Sequence, residues 1–351
     1  MRLVLAALLA LGACSTHAPE TAGAEDLALG VAFPPVADAE ERAFTLAQLD
    51  ALGVRHVRLG QRWAFREPER DRFVWGPLEA RVSALADAGV EVFLTLDLKG
   101  MPDWLGALPP DEQEAEFRAY VRELLARVGG GVAAVQFGNE WTVEVDRYAG
   151  GDVAAFVRWS NVLYDEVQRL PPDGRPEVVL GSVPIGGLHT LALLQGRIEN
   201  VVFEGGPQYT PEEVAAARRD GPATLAAFGA VFGGVRYDAV DLHLYDDVWN
   251  WPAYREAVEQ VLREAGRDPG GVAFVASEFG GPHPTLEPGG EAFRADRVRE
   301  YVRTLDRMGI ERAYFFKLVE ERGADIAHPN SFLLDADLRR TAAFDALAAG
   351  R

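Results

Sequence analysis

Short apolar runs alternate with longer amphipathic segments eight times along this chain, and this alternation limits the folds open to it. The runs are rich in Val, Leu and Phe and are mostly apolar on both faces, as parallel strands covered by helices are. The predicted strands are Leu27–Phe33, Val54–Gly60, Val90–Asp97, Val132–Gly138, Glu177–Val183, Ala239–Tyr245, Val272–Glu278 and Arg312–Lys317. Eight such units in roughly 320 residues predict a single (β/α)8 barrel. An open doubly wound sheet is the main alternative, although no GxGxxG or P-loop follows the first strand.

The segments between the strands carry helix signals at both ends. The predicted helices are Glu40–Leu52, Leu78–Ala88, Glu112–Val128, Val153–Leu170, Ala253–Ala265 and Ala292–Met308. Glycines follow most of them, which is a common stop signal at a helix C-terminus. Asp38, Asp111 and Asp152 stand where helix N-caps belong. The longest connection, Pro184–Arg236, is expected to contain an extra helix and part of a cleft wall.

The N-terminal residues have the composition of a targeting segment followed by a tether. A basic residue precedes the apolar run Leu3–Leu11, which is too short to span a bilayer but fits the apolar core of a signal peptide. Small residues then precede the only cysteine, Cys14, in a pattern that resembles the bacterial lipoprotein signal. We expect residues 1–13 to be removed and Cys14 to carry a lipid. Residues 14–26 would then tether a domain spanning 27–351 to an extracytoplasmic face of the cell envelope. An ordinary secretory signal with an incidental cysteine is the alternative.

Charge and histidine spacing bear on partners and cofactors. The chain has 54 acidic and 35 basic residues, a net charge of −19. A chain this acidic repels phosphate backbones, so we expect no nucleic-acid partner. The histidines lack a ligand spacing such as HExxH, so we expect neither a catalytic metal nor another cofactor. A structural calcium site is an open alternative in an acidic protein outside the cytoplasm. The sequence does not indicate the oligomeric state.

Polar and aromatic side chains gather where the predicted strands end, which is where (β/α)8 barrels carry their functional groups. These ends and the loops beyond them contain Arg58, Trp63, Lys99, Trp104, Asn139, Glu140, Trp141, His243, Tyr245, Glu278 and Lys317. Glu140 and Glu278 end strands four and seven, whose ends can face each other across the barrel mouth. Two carboxyl groups ~5–5.5 Å apart can hydrolyse a glycosidic bond, one attacking the sugar and the other protonating the leaving oxygen. Arg58 could lower the pKa of a nearby carboxylate, and Tyr245 could hydrogen-bond it.

The ordered set of strand-end residues resembles the clan-A glycoside hydrolases, a superfamily of retaining (β/α)8 glycosidases. In that clan an Asn-Glu pair ends strand four and another glutamate ends strand seven. The resemblance covers about residues 27–349 and implies Glu140 as acid/base, Asn139 on the sugar 2-hydroxyl and Glu278 as nucleophile. It also implies positions at the site for Arg58, His243 and Tyr245.

Aromatic residues show both agreement with the clan and departures from it. Gly138 stands where a Trp usually precedes the Asn-Glu pair, and Phe315, Phe316 and Lys317 stand where relatives often place a Trp under the sugar. Tryptophans in the loops after the strands suit stacking on sugar faces, with core packing as the alternative. Those predicted to bind substrate are Trp63, Trp104 and Trp141.

Lysine is rare in this chain. Lys99 and Lys317 are the only lysines among the 35 basic residues, and both stand at or just beyond the end of a predicted strand. A compact ammonium aimed into the cleft is not replaced by the fork of an arginine. We expect at least one of the two to reach the cleft and to favour a substrate with an acidic group. A structural ion pair, for instance with Glu320 or Asp97, is the alternative.

The sequence therefore predicts a lipid-anchored retaining glycoside hydrolase that acts on a carbohydrate by double displacement. Two other functions stay open. One is a non-catalytic glycan-binding lipoprotein that has kept the cleft. The other is a different barrel enzyme, such as a metal-dependent hydrolase or a lyase.

Overall fold

The computed structural model describes residues 27–148, 151–203, 206–282, 289–321 and 330–350, and these form a closed barrel of eight parallel strands. The strands are β1 (Ala28–Ala32), β2 (His56–Gln61), β3 (Glu91–Leu96), β4 (Val132–Phe137), β5 (Glu177–Val179), β6 (Ala239–Tyr245), β7 (Ala273–Gly280) and β8 (Arg312–Phe315). Each strand pairs in parallel with its sequence neighbours, and β8 pairs with β1 to close the barrel. The predicted (β/α)8 barrel is confirmed, and the open sheet is excluded because the strand order closes on itself.

Helices connect the strands. They are α1 (Ala39–Leu52), α2 (Gly76–Asp87), α3 (Pro110–Val128), α4 (Trp141–Tyr148), α5 (Val153–Gln168), α6 (Ile185–Leu194), α7 (Pro211–Gly234), α8 (Trp251–Glu264), α9 (Glu291–Arg307) and α10 (Ala342–Ala348). Between β5 and β6 stand both α6 and α7, together with a small antiparallel sheet of Val202–Phe203 and Gly206–Pro207. The extra helix expected in the longest connection is therefore present.

Two of the three predicted N-caps are confirmed. The Asp38 carboxylate accepts a hydrogen bond from the third residue of α1 at 2.9 Å, and Asp152 caps α5 in the same way at 2.8 Å. The prediction for Asp111 was wrong, because α3 already begins at Pro110. Proline suits the first helical position, since its φ is fixed and its missing N–H would have no partner there. Asp111 lies in the first turn, where its charge complements the helix dipole.

The predicted signal peptide, Cys14 and the predicted tether lie outside the described residues. Within the ranges that the structure does describe, no helix combines the length and the apolar character needed to cross a membrane.

The barrel interior changes from apolar to polar along the strands. One buried cluster contains Ala32, Phe93, Ala134, Val179, Ala239, Val275 and Tyr314, contributed by seven of the eight strands. Because alternate residues of a strand face the same side, the residue two positions further on also points inward. Four of those seven positions hold Thr95, Gln136, Asp241 and Ser277, all of which are fully buried. A polar layer thus rests on an apolar one, on the side of the strand C-termini.

An irregularity in β7 sets the direction of one predicted catalytic side chain. Asp241 on β6 pairs with Val275, but His243 pairs with Glu278, so β7 contains one extra residue in this interval. The register between β7 and β8 shifts as well. Strict alternation from Val275 would turn Glu278 away from the barrel interior. Because a bulge inserts one residue, both Ser277 and Glu278 can face the interior here.

Candidate active site

Glu278 lies at the centre of a buried hydrogen-bond network. Arg58 Nη1 donates to Glu278 Oε1 at 2.5 Å, and the Tyr245 hydroxyl donates to Oε2 at 2.6 Å. His243 Nδ1 lies 3.5 Å from the same Oε2 atom. Burial opposes the negative charge, but the positive charges of His243 and Arg58, with these hydrogen bonds, lower the pKa of Glu278 below its usual value. Glu278 is therefore held as a carboxylate, the form that a nucleophile requires.

Arg58 is a buried guanidinium that joins side chains from four places in the barrel. Besides Glu278, it donates to Thr95 Oγ1 at 2.9 Å, to Gln136 Oε1 at 3.2 Å and to Asn139 Oδ1 at 2.6 Å. The side chain has no exposed surface. A buried charge is tolerated when it is fully hydrogen-bonded. Arg58 therefore fixes the position of Asn139 relative to Glu278.

Glu140 faces Glu278 across the barrel mouth, as the strand assignment predicted. Ligand atoms of Glu140, His243 and Glu278 all lie within 4.8 Å of one another. His243 Nδ1 is 3.1 Å from Glu140 Oε1, and its Nε2 is 3.1 Å from Ser277 Oγ. Burial works against a charged imidazole, but the carboxylates of Glu278, Glu140 and Asp241 raise the pKa of His243. Glu140 keeps 33% of its side chain exposed against 8% for Glu278, so it can exchange protons with solvent.

The backbone before and at Glu140 is in the left-handed region. Gly138 has φ 88° and Glu140 has φ 54°. A Cβ atom on residue 138 would lie 2.8 Å from a ring carbon of Phe156, and the positive φ strains any residue other than glycine there. For Glu140 the left-handed conformation costs about 1–3 kcal/mol, the kind of local strain that functional sites retain.

Glu144, which sequence reasoning missed, supports this turn from below. Its Oε2 accepts hydrogen bonds from the backbone N–H of Asn139 at 2.9 Å and of Leu98 at 3.2 Å. Burial, helped by the nearby Asp97 charge, raises the pKa of Glu144 to about 7. Because one carboxylate joins the loops after β3 and β4, its loss would release the segment that carries Asn139.

The raised pKa makes Glu144 a source of pH-dependent stability. Between about pH 4.5 and 7 the folded protein keeps a proton here that the unfolded chain releases, so the free energy of unfolding falls as pH rises. The contribution lost over this range is of order 3 kcal/mol. We expect Glu144→Gln to remove this slope, because the amide cannot ionise while its oxygen can still accept both N–H groups. Chemical denaturation at about pH 5 and pH 8 measures the difference. An unchanged slope in the variant would contradict this assignment.

Four further polar residues under the site were not predicted. Asp241 Oδ2 accepts hydrogen bonds from Gln136 Nε2 at 2.7 Å and from Ser277 Oγ at 2.5 Å. Ser182 Oγ accepts from the backbone N–H of Glu140 at 2.8 Å. A signal for two of them was present in the sequence. Asp241 stands two residues before His243 on the same strand face, and Gln136 is the one strongly polar residue inside an otherwise apolar β4.

The two glutamates open into a cavity of about 750 Å³, within the size range of small-molecule sites. Phe316 lines this cavity, and its ring meets those of Tyr245 and Phe33 edge-on, with centroids 5.9 and 6.1 Å away. An aromatic ring is therefore present in the cavity lining after β8. None of the described residues of Pro184–Arg236 lines the cavity, so the part of the cleft wall expected from this connection is not found among them.

The predicted sugar-stacking tryptophans lie in the core or pack against it instead. Trp63 is 3% exposed and stacks on Tyr120 of α3, with ring centroids 4.8 Å apart. Trp104 packs edge-on against Trp63, and Trp141 is 2% exposed against Phe156 of α5. None of the three lines the cavity. The prediction of substrate contact was wrong because the loops after β2, β3 and β4 turn these indoles toward the surrounding helices.

Both lysines line the cavity, as expected, but each has a carboxylate nearby. Lys99 Nζ lies 3.8 Å from Asp97 Oδ2, one of the two ion pairs considered from the sequence. Lys317 pairs with Glu321 instead of Glu320, and its ammonium lies 4.6 Å from the centroid of the Phe316 ring. Lys317 is therefore closely paired within the protein, whereas Lys99 shares the more distant Asp97 carboxylate with Arg62.

Sequence comparisons point to glycoside hydrolases. A family model described as beta-galactosidase (glycoside hydrolase 42) matches residues 34–128. That segment contains Arg58 but neither Glu140 nor Glu278. A beta-galactosidase from Thermus thermophilus is 30% identical over 172 residues, which cover 40% of this chain and 27% of the relative. The chain thus spans only about a quarter of the length of this relative.

Solved structures share the barrel. An exo-beta-1,4-mannosidase from an Opitutaceae bacterium, strain TAV5, superposes with a TM-score of 0.61 at 15% identity, over 93% of this chain and 59% of that one. GH5_18 from Streptomyces cattleya, solved in complex with GlcNAc, gives 0.63 at 16% identity, over 93% of this chain and 80% of that one. At such identities the likeness shows the fold. Together with the sequence matches, it supports a clan-A glycoside hydrolase.

Proposed function

We propose that this protein is a retaining glycoside hydrolase in which Glu278 is the nucleophile and Glu140 the acid/base. The carboxylate oxygens of these two residues come within 4.8 Å of one another, and this observation carries the proposal. Retaining enzymes hold the two carboxyl groups ~5–5.5 Å apart, whereas inverting enzymes hold them ~6.5–9.5 Å apart to admit a water molecule. The short separation favours direct attack on the sugar.

In the first step a Glu278 oxygen bonds to the anomeric carbon while the bond to the leaving oxygen breaks. Glu140 gives its proton to that oxygen, so a neutral alcohol departs and Glu140 becomes a carboxylate. Arg58 and Tyr245 keep the attacking group anionic and oriented before the reaction. By resemblance, Asn139 would contact the sugar 2-hydroxyl, and its link to Arg58 holds it beside Glu278.

In the second step water replaces Glu278 on the anomeric carbon. Glu140, now a carboxylate, accepts one proton from the attacking water, and Glu278 leaves as a carboxylate. Two inversions at the same carbon give net retention. His243 lies between the carboxylates, and its raised pKa lets it supply positive charge to whichever of them is anionic.

The alternative of a metal-dependent enzyme has one observation in its favour. Glu140, His243 and Glu278 place three potential ligand atoms close enough together to hold a metal ion. The environment of Glu278 argues against it, because Arg58 and Tyr245 already donate to its two oxygens. A guanidinium beside the ligand would also repel a cation. Activity that is lost on chelation and restored by a divalent metal would favour this alternative.

The proposed function is tested on protein lacking residues 1–14, using a panel of aryl glycosides and polysaccharides. The panel includes β-galactosides and β-mannosides, the sugars named in the similar proteins. Proton NMR during turnover shows which anomer appears first, and we expect the anomer of the substrate. First appearance of the opposite anomer would show inversion and overturn the mechanism. Glycan binding without turnover would favour the non-catalytic alternative.

We further propose that the barrel is anchored outside the cytoplasm through a lipid on Cys14. The apolar run Leu3–Leu11 and the small residues before the sole cysteine support this location. Two or more acyl chains hold a protein on a membrane far more firmly than one. In a bacterial host we expect Cys14→Ser to block processing or to move the protein from the membrane fraction to the soluble fraction. Normal processing with unchanged membrane association would show a different anchor.

A further inference from the structure

Three arginines form one side of the cavity that contains the glutamates. Arg62 and Arg66 follow β2, and Arg81 lies on α2. We call these three residues the arginine wall. Arg66 is only 7% exposed; its Nη1 donates to the Val74 carbonyl at 2.8 Å, and its buried Nε has no hydrogen-bond partner. Arg81 donates through Nε to the Pro77 carbonyl at 3.1 Å.

The positive charge of this wall is poorly compensated by the protein itself. Among the described residues, no carboxylate lies within ion-pair distance of Arg66 or Arg81, and Arg62 shares Asp97 with Lys99 at 3.8 Å each. Burial, with the positive charges of Arg66 and Arg42, lowers the pKa of Arg81. Such a cluster is unexpected in a chain with 54 acidic and 35 basic residues.

A buried cation without a counterion is unfavourable, and an anion entering the cavity would relieve the cost. Two of the other charged side chains that line the cavity have close partners. Lys317 pairs with Glu321, and Glu278 is held by Arg58. The arginine wall is therefore the part of the cavity where a bound anion would be stabilised most.

We propose that the cavity binds a glycan that carries an anionic group, either a carboxylate or a sulfate or phosphate ester, against the arginine wall. The inference rests on the proposed function for the identity of the ligand as a glycan. A guanidinium matches carboxylate, sulfate and phosphate oxygens through two parallel N–H donors. The acidic substrate group expected from the two lysines is thereby assigned to the arginines instead.

The test is calorimetric binding of oligosaccharides to the Glu140→Gln variant. This background slows turnover, and it keeps Glu278, so Arg58 does not become a new anion site. The probes are oligogalacturonates with carboxylates, carrageenan oligosaccharides with sulfates and neutral cello-oligosaccharides. Arg81→Gln and Arg62→Gln are introduced into this background. The matched control is Arg303→Gln, which removes one positive charge from the exposed face of α9 outside the cavity.

We expect at least one anionic probe to bind more tightly than the neutral one, with an affinity that falls as salt is added. Arg81→Gln should weaken this binding ~10-fold or more, as loss of a charge-assisted contact does. The control variant, Arg303→Gln, should bind the probe as tightly as its parent. The probe that binds distinguishes a carboxylate from a sulfate. Arg66→Lys, which keeps the charge but loses the fork, should give an intermediate loss.

Binding of neutral probes alone, or equal affinity for an anionic probe in the parent, Arg81→Gln and Arg62→Gln proteins, would overturn the inference. So would binding to none of the probes. These outcomes are separate from failure of the proposed function. If the wild-type protein hydrolyses neutral aryl glycosides but the arginine variants bind anionic probes normally, the proposed function is supported and the role of the arginine wall is rejected. If an anionic glycan binds through the arginine wall but no glycoside is hydrolysed, the role of the wall is supported and the proposed function is rejected.

Discussion

Glu278→Ala is expected to lower kcat/KM by ~10⁴–10⁶-fold, the scale of loss when an enzyme loses its nucleophile. Glu140 is not expected to take its place, because in the proposed mechanism it stands on the leaving-group side of the bond. The measurement is steady-state turnover of an activated aryl glycoside. Glu91→Ala is a matched control, since Glu91 begins β3 at the opposite end of the barrel and is largely exposed. The control should retain activity close to wild type.

Rescue by azide tests whether Glu278 acts as the nucleophile. In Glu278→Ala the lost carboxylate leaves space for a small anion, and Glu140 can still protonate the leaving oxygen. Azide should therefore restore part of the rate and give a glycosyl azide of inverted configuration, because only one displacement takes place. A glycosyl azide of retained configuration, or no rescue together with a well-folded variant, would contradict the role of Glu278.

Glu140→Ala is expected to lower turnover of substrates with poor leaving groups by ~10²–10⁴-fold, the usual contribution of a general acid. Activated aryl glycosides need little protonation, so formation of the covalent intermediate should be nearly spared. Turnover should then stall at hydrolysis of that intermediate, because no base activates the water. A pre-steady-state burst of the aryl alcohol measures the two steps separately.

Azide should act on Glu140→Ala with the opposite stereochemical result. Glu278 is intact in this variant, so azide attacks the covalent intermediate and the product retains the configuration of the substrate. The pair of variants therefore assigns each glutamate by the configuration of one product. Equal losses on activated and unactivated substrates in Glu140→Ala would show that this residue does not act as an acid.

The sequence predicted the barrel well because its strand signals are local. Apolar runs between amphipathic segments identify strands whatever surrounds them, and the strand ends then show which polar residues meet. Arg58, Asn139, Glu140, His243, Tyr245 and Glu278 all lie where that reasoning placed them, within one hydrogen-bonded network. Alternation along β4 and β6 would also have placed Gln136 and Asp241 inside the barrel.

Other features depend on tertiary packing and have no local signal. The extra residue in β7 directs Glu278 toward the barrel interior. This extra residue is visible only in the pairing registers of β7 with β6 and β8. The tryptophans were misassigned because position after a strand does not say which way a loop turns. Trp63 finds its partner, Tyr120, on a helix more than fifty residues further along the chain. The arginine wall is equally hidden, because Arg66 and Arg81 lie in an unremarkable loop and helix.

Arg58 has a consequence for how catalysis is regained after unfolding. Its four side-chain partners lie 37, 78, 81 and 220 residues further along the chain. Contacts between such distant residues form slowly, because the entropy of closing long loops must be overcome before the contacts contribute. Helices, whose contacts are local, form much sooner. When the denaturant is diluted away, the circular dichroism signal of the helices should therefore recover before the hydrolytic activity does. The delay between the two signals measures how long the barrel takes to close.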